Sequence, residues 1–251
     1  MTARDFLNNH ACQLPSNRTK TIRTMSSQST FFYELVRKSE DEITLTLNET
    51  PSLLTQTDES ARLLIHWAAL SGREPLVKSI LEHHPEQLNA EDDSKYTPLI
   101  LATLGGHLPV VTLLTLRGAT LDNRNSLGHS ALQYACSKGF VPIARYLVEL
   151  GANVNILDGL KETPLHRAAT RGMEELIVLL LEHGANPNIP NSVGNTPLHL
   201  ACEEDQRCCA LRLIKGGAST FVENRDEKTP LDLATRATRT ALTNAAEEVA
   251  S

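Results

Sequence analysis

The stretch GNTPLHLACEED (194–205) admits two incompatible conformations. As a short linear motif, Leu200, Cys202 and the acidic pair Glu203-Glu204 would be offered from extended backbone, with the cysteine outward. As one copy of a repeat, Thr196-Pro197 would open a helix and Cys202 would face inward. Whether the stretch recurs decides between them.

It recurs. YTPLILA begins at Tyr96, HSALQYA at His129, ETPLHRA at Glu162, NTPLHLA at Asn195 and KTPLDLA at Lys228, each 33 residues after the last. Gly-Ala pairs at 118–119, 151–152, 184–185 and 217–218 keep the same step. An earlier copy, RLLIHWA, begins at Arg62, 34 residues before Tyr96, and the extra residue is placed in EHHPEQLNA, where Gly-Ala is missing.

Each recurring residue type has a physical task. The hydroxyls of Thr97, Thr163, Thr196 and Thr229 are predicted to cap helix N-termini, and the following proline suits the first helical position. Leu99, Leu132, Leu165, Leu198 and Leu231 begin an apolar stripe. Ala68-Ala69, Ala135-Cys136, Ala168-Ala169 and Ala201-Cys202 are small enough for close helix packing. Gly72, Gly106, Gly139 and Gly172 end the short helix, and Asp205 stands where the next glycine would be. A second helix follows, with Leu76-Val77/Ile80-Leu81, Val110-Val111/Leu114, Ile143-Ala144/Leu147-Val148 and Leu176-Ile177/Leu180-Leu181 at the spacing of one buried face. On this register Cys136, Cys202 and Cys209 are core residues and Cys208 is more exposed.

The bulk composition agrees. Of 251 residues, 41% are apolar and only 4% aromatic, which suits small, closely stacked helices. A net charge of −6 gives no footprint for nucleic acid, and no apolar run approaches the roughly 18 residues of a membrane span. Five cysteines without paired C-x-x-C spacing point to reduced thiols, not a metal site. Residues 1–30, rich in Ser, Thr and Asn, are expected to form a disordered tail. No P-loop or Rossmann glycine pattern is present, and no histidine has a repeated nucleophile or carboxylate partner. A non-enzymatic, cofactor-free, monomeric binding protein of cytoplasm and nucleus is expected.

T-P-L-H-x-A on a 33-residue period resembles the ankyrin repeat over about residues 58–235. The fold this implies is all-α: an ankyrin-repeat solenoid of seven stacked helix-turn-helix units with hairpin-like turns. The units fall at 31–57, 58–90, 91–123, 124–156, 157–189, 190–222 and 223–249, and the terminal ones serve as caps. The conserved-pattern histidines, His66, His166 and His199, would bond across neighbouring turns. Partner contacts would come from the hairpin tips and the exposed ends of the first helices. Candidates at the tips are Arg62, Asp93, Lys95, Tyr96, His129, Lys161, Glu162, Asp226, Glu227 and Lys228. At the helix ends, basic Lys138 and Arg171 are followed by acidic Glu203, Glu204 and Asp205.

A narrower resemblance rests on SARLLIHWAALSG, YACSKG, GNTPLHLACEED and ASTFVENRDEKTPLDLA, which are similar to stretches of the gankyrin family. His66-Trp67, Lys138 and LACEE are the non-consensus features that it preserves. These proteins are assembly chaperones of the 26S proteasome regulatory particle. The resemblance implies a concave face that holds the C-terminal domain of a base ATPase subunit through complementary charge. Arg62 and Lys138 match functional basic positions of the family, and Glu203 and Glu204 its acidic surface. Trp67, Lys95, Tyr96, Arg171, Asp226 and Lys228 complete the expected partner-binding set. The alternative is a cell-cycle regulator that binds a cyclin-dependent kinase or a retinoblastoma-like protein, since L-x-C-x-E is a signature for the retinoblastoma pocket. Leu63-Leu64 in place of Thr-Pro, Ile100 and Gln133 in place of histidines, and the C-terminal ATRTALTNAAEEVAS depart from the family pattern.

Overall fold

The structure is a computed structural model that describes residues 27–250. The tail expected at 1–30 lies outside these residues except for its last positions, which open the first helix. Every regular element among the described residues is helical. They form two compact units, divided between Thr120 and Leu121.

The first unit holds α1 (Ser27–Leu35), α2 (Glu40–Glu49), α3 (Leu64–Leu70), α4 (Glu74–His83), α5 (Pro98–Gly105) and α6 (Leu108–Leu116). The second holds α7 (Ala131–Lys138), α8 (Val141–Glu149), α9 (Pro164–Thr170), α10 (Glu174–Glu182), α11 (Pro197–Glu203), α12 (Arg207–Lys215), α13 (Pro230–Leu233) and α14 (Arg236–Ala250). Within each unit, first helices pack side by side: α1 on α3 and α3 on α5, then α7 on α9, α9 on α11 and α11 on α13. Second helices form a parallel layer, with α4 on α6, α8 on α10 and α10 on α12. Two short 3-10 turns, Pro51–Leu54 and Pro85–Asn89, complete the first unit, and the second of them takes up the extra residue of EHHPEQLNA.

The predicted caps form at Thr97, Thr163 and Thr229, whereas the Thr196 hydroxyl turns to His199 Nδ1 at 2.8 Å and makes no cap bond to the backbone. Thr97 accepts from the Ile100 N–H and Thr229 from the Asp232 N–H, both at 3.3 Å. His66, His166 and His199 do more than decorate the turn. The Nδ1 of each accepts the backbone N–H three residues back, at 3.0–3.1 Å. The Nε2 of each reaches the next turn, to the carbonyls of Ala90, Asn195 and Lys228 at 3.0–3.1 Å. Gln133 does the same work without a ring, accepting from the Ser130 N–H at 2.9 Å and donating to the Glu162 carbonyl at 2.7 Å. Ile100 makes no such bond and is buried as plain core.

The second helices bury the predicted stripes, with one shift. In α10, Leu179 joins Leu176, Ile177 and Leu180 in the core, whereas Leu181 is only half-buried. A buried leucine stabilises by roughly 1.5–3 kcal/mol, so these stripes hold the layers together.

Candidate functional site

The hairpin turns that begin each repeat are built on a side chain that the sequence reading passed over. Asp58, Asp92, Asn125, Asp158, Asn191 and Asn224 recur at steps of 34 and then 33 residues. The Oδ1 of each accepts the backbone N–H groups two and four residues ahead, at 2.8–3.1 Å. This closes the turn from inside and lets the tip adopt left-handed backbone at Ala61, Lys95, Gly128, Lys161, Gly194 and Glu227. The recurring Asp/Asn was the available signal. It reads as solvated turn polarity until its period is compared with that of T-P-L-H.

The second polar atom of each of these side chains selects what stands beside it. In the second unit, Asp158 Oδ2 receives Arg167, while Arg167 also pairs with Glu162 at 3.2 Å. Arg167 Nη2 also lies 3.1 Å from His129 Nε2, which faces Asp158 Oδ2 at 3.5 Å, and the His129 ring stands edge-on to Tyr134 with centroids 5.3 Å apart. Burial alone would raise the Asp158 carboxyl. The hydrogen bonds from His129, Arg167 and the Glu162 backbone outweigh it and hold the group well below the usual range. Asn191 is neutral and donates to Glu162 Oε1 at 3.2 Å; Asn224 donates to Asn195 Oδ1 at 2.7 Å. The result is a half-buried polar row, His129–Tyr134–Glu162–Arg167–Asn195, held in place by these bonds.

The first helices of the same repeats end in charged residues. Lys138 is half-buried at the last residue of α7; Arg171 is exposed just after α9; Glu203 and Glu204 are exposed at the end of α11. These are equivalent positions of consecutive repeats whose first helices touch. The second unit therefore carries a basic-to-acidic step along its stack. Asp226 and Lys228 are exposed on the last hairpin. Asp205 is otherwise engaged. It holds left-handed backbone, φ 51°, and its Oδ1 accepts the hydroxyls of Thr235 at 3.0 Å and Thr238 at 2.8 Å. Its task is to clasp α14.

The first unit corrects three expectations. Arg62 is not solvent-facing: it is 8% exposed, and its Nε donates to Asp92 Oδ2 at 2.7 Å. Trp67 is 1% exposed, under the edge of the Tyr33 ring and near the Arg62 guanidinium, and its indole donates to Asp58 at 3.1 Å. Tyr96 is also buried. The physical reason is shared: in this unit the turn aspartates draw donors inward, and large rings fill the space between first helices. Lys95 is exposed at a tip.

The cysteines lie as the register predicts. Cys136, Cys202 and Cys209 are buried and Cys208 is exposed. Burial pushes the Cys202 thiol up to about 12 and Cys209 to about 11. LACE (200–203) is thus helical and Glu204 caps its end, with Cys202 inward, which removes the side-chain pose that an extended docking motif needs. Among the described residues, no group of three or more His, Cys, Asp or Glu side chains is placed to hold a metal. Nor is any helix among them long and apolar enough to cross a membrane.

Comparison with known proteins matches this geometry. The Neurospora crassa ankyrin repeat protein nuc-2 is 32% identical over 81 residues, covering 32% of this chain and 8% of that protein. The mouse ankyrin repeat and SAM domain-containing protein 6 is 36% identical over 91 residues, covering 36% of this chain and 10% of its own length. The 26S proteasome non-ATPase regulatory subunit 10 of Dictyostelium discoideum is 37% identical over 62 residues, 25% of this chain and 27% of that one. The chain thus spans a tenth or less of the first two relatives and about a quarter of the third. The ankyrin-repeat profile, in blocks of three copies, matches residues 36–125, 65–158, 115–191 and 165–248. Capped repeats on a 33-residue step, turn-bridging histidines and that profile along most of its length agree: the chain belongs to the ankyrin-repeat family.

Proposed function

We propose that this protein is a non-enzymatic assembly chaperone of the 26S proteasome regulatory particle, which holds the C-terminal domain of a base ATPase subunit by complementary charge. Ankyrin repeats are a protein-interaction fold, and a protein-binding role follows from the family. The observation that carries the finer reading is the charge step of the second unit, Lys138 and Arg171 followed by Glu203 and Glu204, in which Lys138, Glu203 and Glu204 lie on stretches that resemble gankyrin. The match to a proteasome subunit of Dictyostelium supports it. Cytoplasm and nucleus are the compartments where such a client is made and used. The helical, inward-facing Cys202 weighs against the retinoblastoma alternative.

The test is an affinity purification of the full chain from its native cells, followed by titration of the recovered client. A proteasomal ATPase subunit is expected; a cyclin-dependent kinase in its place would establish the alternative. Lys138→Glu with Arg171→Glu should weaken ATPase-domain binding at least tenfold, about 1.4 kcal/mol. Rim charges act through association rate and salt dependence, so the loss should shrink at high salt. Equal affinity of the folded double variant and the wild type would move the client site elsewhere.

A further inference from the structure

In the second unit, the hairpin tips carry apolar side chains that face water. Leu127 is 50% exposed, Leu160 57% and Val193 50%. They occupy one position of three consecutive repeats; in the first unit that position holds Ser60 and Ser94, and in the last repeat Asp226. Single exposed leucines are ordinary on a protein surface. Three in register are not, because nothing in the turn chemistry asks for them: Oδ1 of Asn125, Asp158 and Asn191 takes the backbone N–H of the tip residue and not its side chain. The tips are also tied to one another. The Gly159 N–H donates to the Leu127 carbonyl at 3.0 Å, Ser192 to Leu160 at 2.8 Å, and Arg225 to Val193 at 3.1 Å. The tip backbones are therefore fixed relative to one another, and each bears one exposed apolar side chain of a ridge.

We propose that this ridge is a docking surface for an amphipathic helix of a partner protein, with acidic residues at one end and basic residues at the other. The spacing selects a helix. Adjacent first helices pack at about 8–10 Å, which sets the distance between tips. A helix brings every seventh residue back to one face after about 10.5 Å. A strand returns a side chain to the same face only at about 6.8 or 13.6 Å, so it would meet one tip and miss the next. Charge selects the ends. Lys138, Lys161 and Arg171 lie in the repeats that bear Leu127 and Leu160, whereas Glu203 and Glu204 lie in the repeat that bears Val193; on the last hairpin Arg225 and Lys228 offset Asp226 and Glu227. A bound helix with carboxylates over the first group and ammonium groups over the second meets opposite charge along its length. The inference rests on the second unit's being a protein-binding face and does not depend on which client it serves.

The experiment uses the full chain and a fluorescein-labelled helical peptide of about three heptads. The peptide has one leucine per heptad on a single face, glutamates in its first heptad and lysines in its last. Anisotropy should report saturable binding. A peptide of the same composition with its leucines scattered around the helix should bind at least about tenfold more weakly, and peptides with lysine or glutamate at both ends about fivefold more weakly. Leu127→Ser with Leu160→Ser and Val193→Ser, which installs the residue found at Ser60 and Ser94, should lose about tenfold with an unchanged urea midpoint. Failure of the wild type to bind the peptide at millimolar concentration would overturn the proposal, as would equal binding by the serine variant. Sedimentation is the second arm: self-association that the serine variant abolishes would assign the ridge to a second copy of the chain, and the proposal falls. Peptide binding without a recovered ATPase would leave the ridge standing and remove the proteasomal client; an ATPase bound equally by the serine variant would do the reverse.

Discussion

His166 should make the protein acid-sensitive through a single proton, and glutamine should cure it. The ring is wholly buried, with Nδ1 accepting from the Thr163 N–H and Nε2 donating to the Asn195 carbonyl, each at 3.0 Å. A proton on Nδ1 would set a donor against a donor. Burial, opposed by the Asn195 carbonyl, lowers the group from 6.5 to about 4. Above pH 6.5 both folded and unfolded chains keep the ring neutral, and its contribution is fully present. As pH falls below that value the unfolded chain takes up a proton that the native state refuses, so stability is lost until the folded value near 4 is reached. Between pH 7 and pH 5 the linkage integral is about 2 kcal/mol. That is a fall of roughly 0.7–1 M in the urea midpoint, for a slope of about 2–3 kcal/mol per molar.

Gln133 shows that the same two bonds can be made by a group that does not titrate in this range. His166→Gln should therefore stay within about 1 kcal/mol of the wild type at pH 7, the net worth of one hydrogen bond. At pH 5 it should escape most of the 2 kcal/mol penalty (~2 kcal/mol by the linkage above) and become the more stable protein. Helical ellipticity in urea at both pH values reads the effect. His66 and His199, also held low by burial, are common to both proteins and cancel. If wild type and variant lose the same midpoint on acidification, the ring is titrating freely in the native state and the two-bond account is wrong.

Arg62→Met should destabilise the first unit by about 3–5 kcal/mol, because it strands the Asp92 carboxylate, whose side chain is 1% exposed; adding Asp92→Asn should recover part of that loss in urea melts. Asp205→Gly relieves left-handed strain but releases Thr235 and Thr238, so hydrogen exchange in α14 should rise about fivefold to tenfold while α7–α11 stay protected; unchanged exchange would remove the clasp. Among the described cysteines, a thiol reagent should modify Cys208 first and Cys136, Cys202 and Cys209 only on unfolding, which mass spectrometry of tryptic peptides would show. Fast labelling of Cys202 would reopen the extended reading of LACEE.

The fold was legible because a repeat states its rules several times. A threonine before proline is weak evidence once and strong evidence at Thr97, Thr163, Thr196 and Thr229, and the glycines and alanines fall into place around it. Exposure was not legible in the same way. Arg62, Tyr96, His129, Glu162, Asn195 and Lys228 share one position of the repeat, yet Arg62 and Tyr96 are buried, His129, Glu162 and Asn195 are half-buried and Lys228 is exposed. What decides is the neighbour: the Asp92 carboxylate 2.7 Å from Arg62 has its own sequence position 30 residues away. Period predicts the backbone, and side-chain burial is set between repeats.

The turn residue links the two levels. Its Oδ1 is committed to the backbone whether it is aspartate or asparagine, so the fold is indifferent to the choice. The other atom is not. As a carboxylate at Asp92 and Asp158 it gathers Arg62 and Arg167; as an amide at Asn191 and Asn224 it seeks the oxygens of Glu162 and Asn195. A choice between two nearly isosteric side chains thus decides whether a donor or an acceptor stands beside the turn. Asp158→Asn would keep the turn and remove the anion that orders Arg167, and with it the pairing of Arg167 to Glu162. The polar row is in this sense written from below and cannot drift one residue at a time. The charges at the helix ends, Lys138, Arg171, Glu203 and Glu204, stand outside that constraint, because their positions in the turn-and-cap scheme require no particular sign. Under the function proposed above, they are where a repeat protein of this design would change its client without changing its fold.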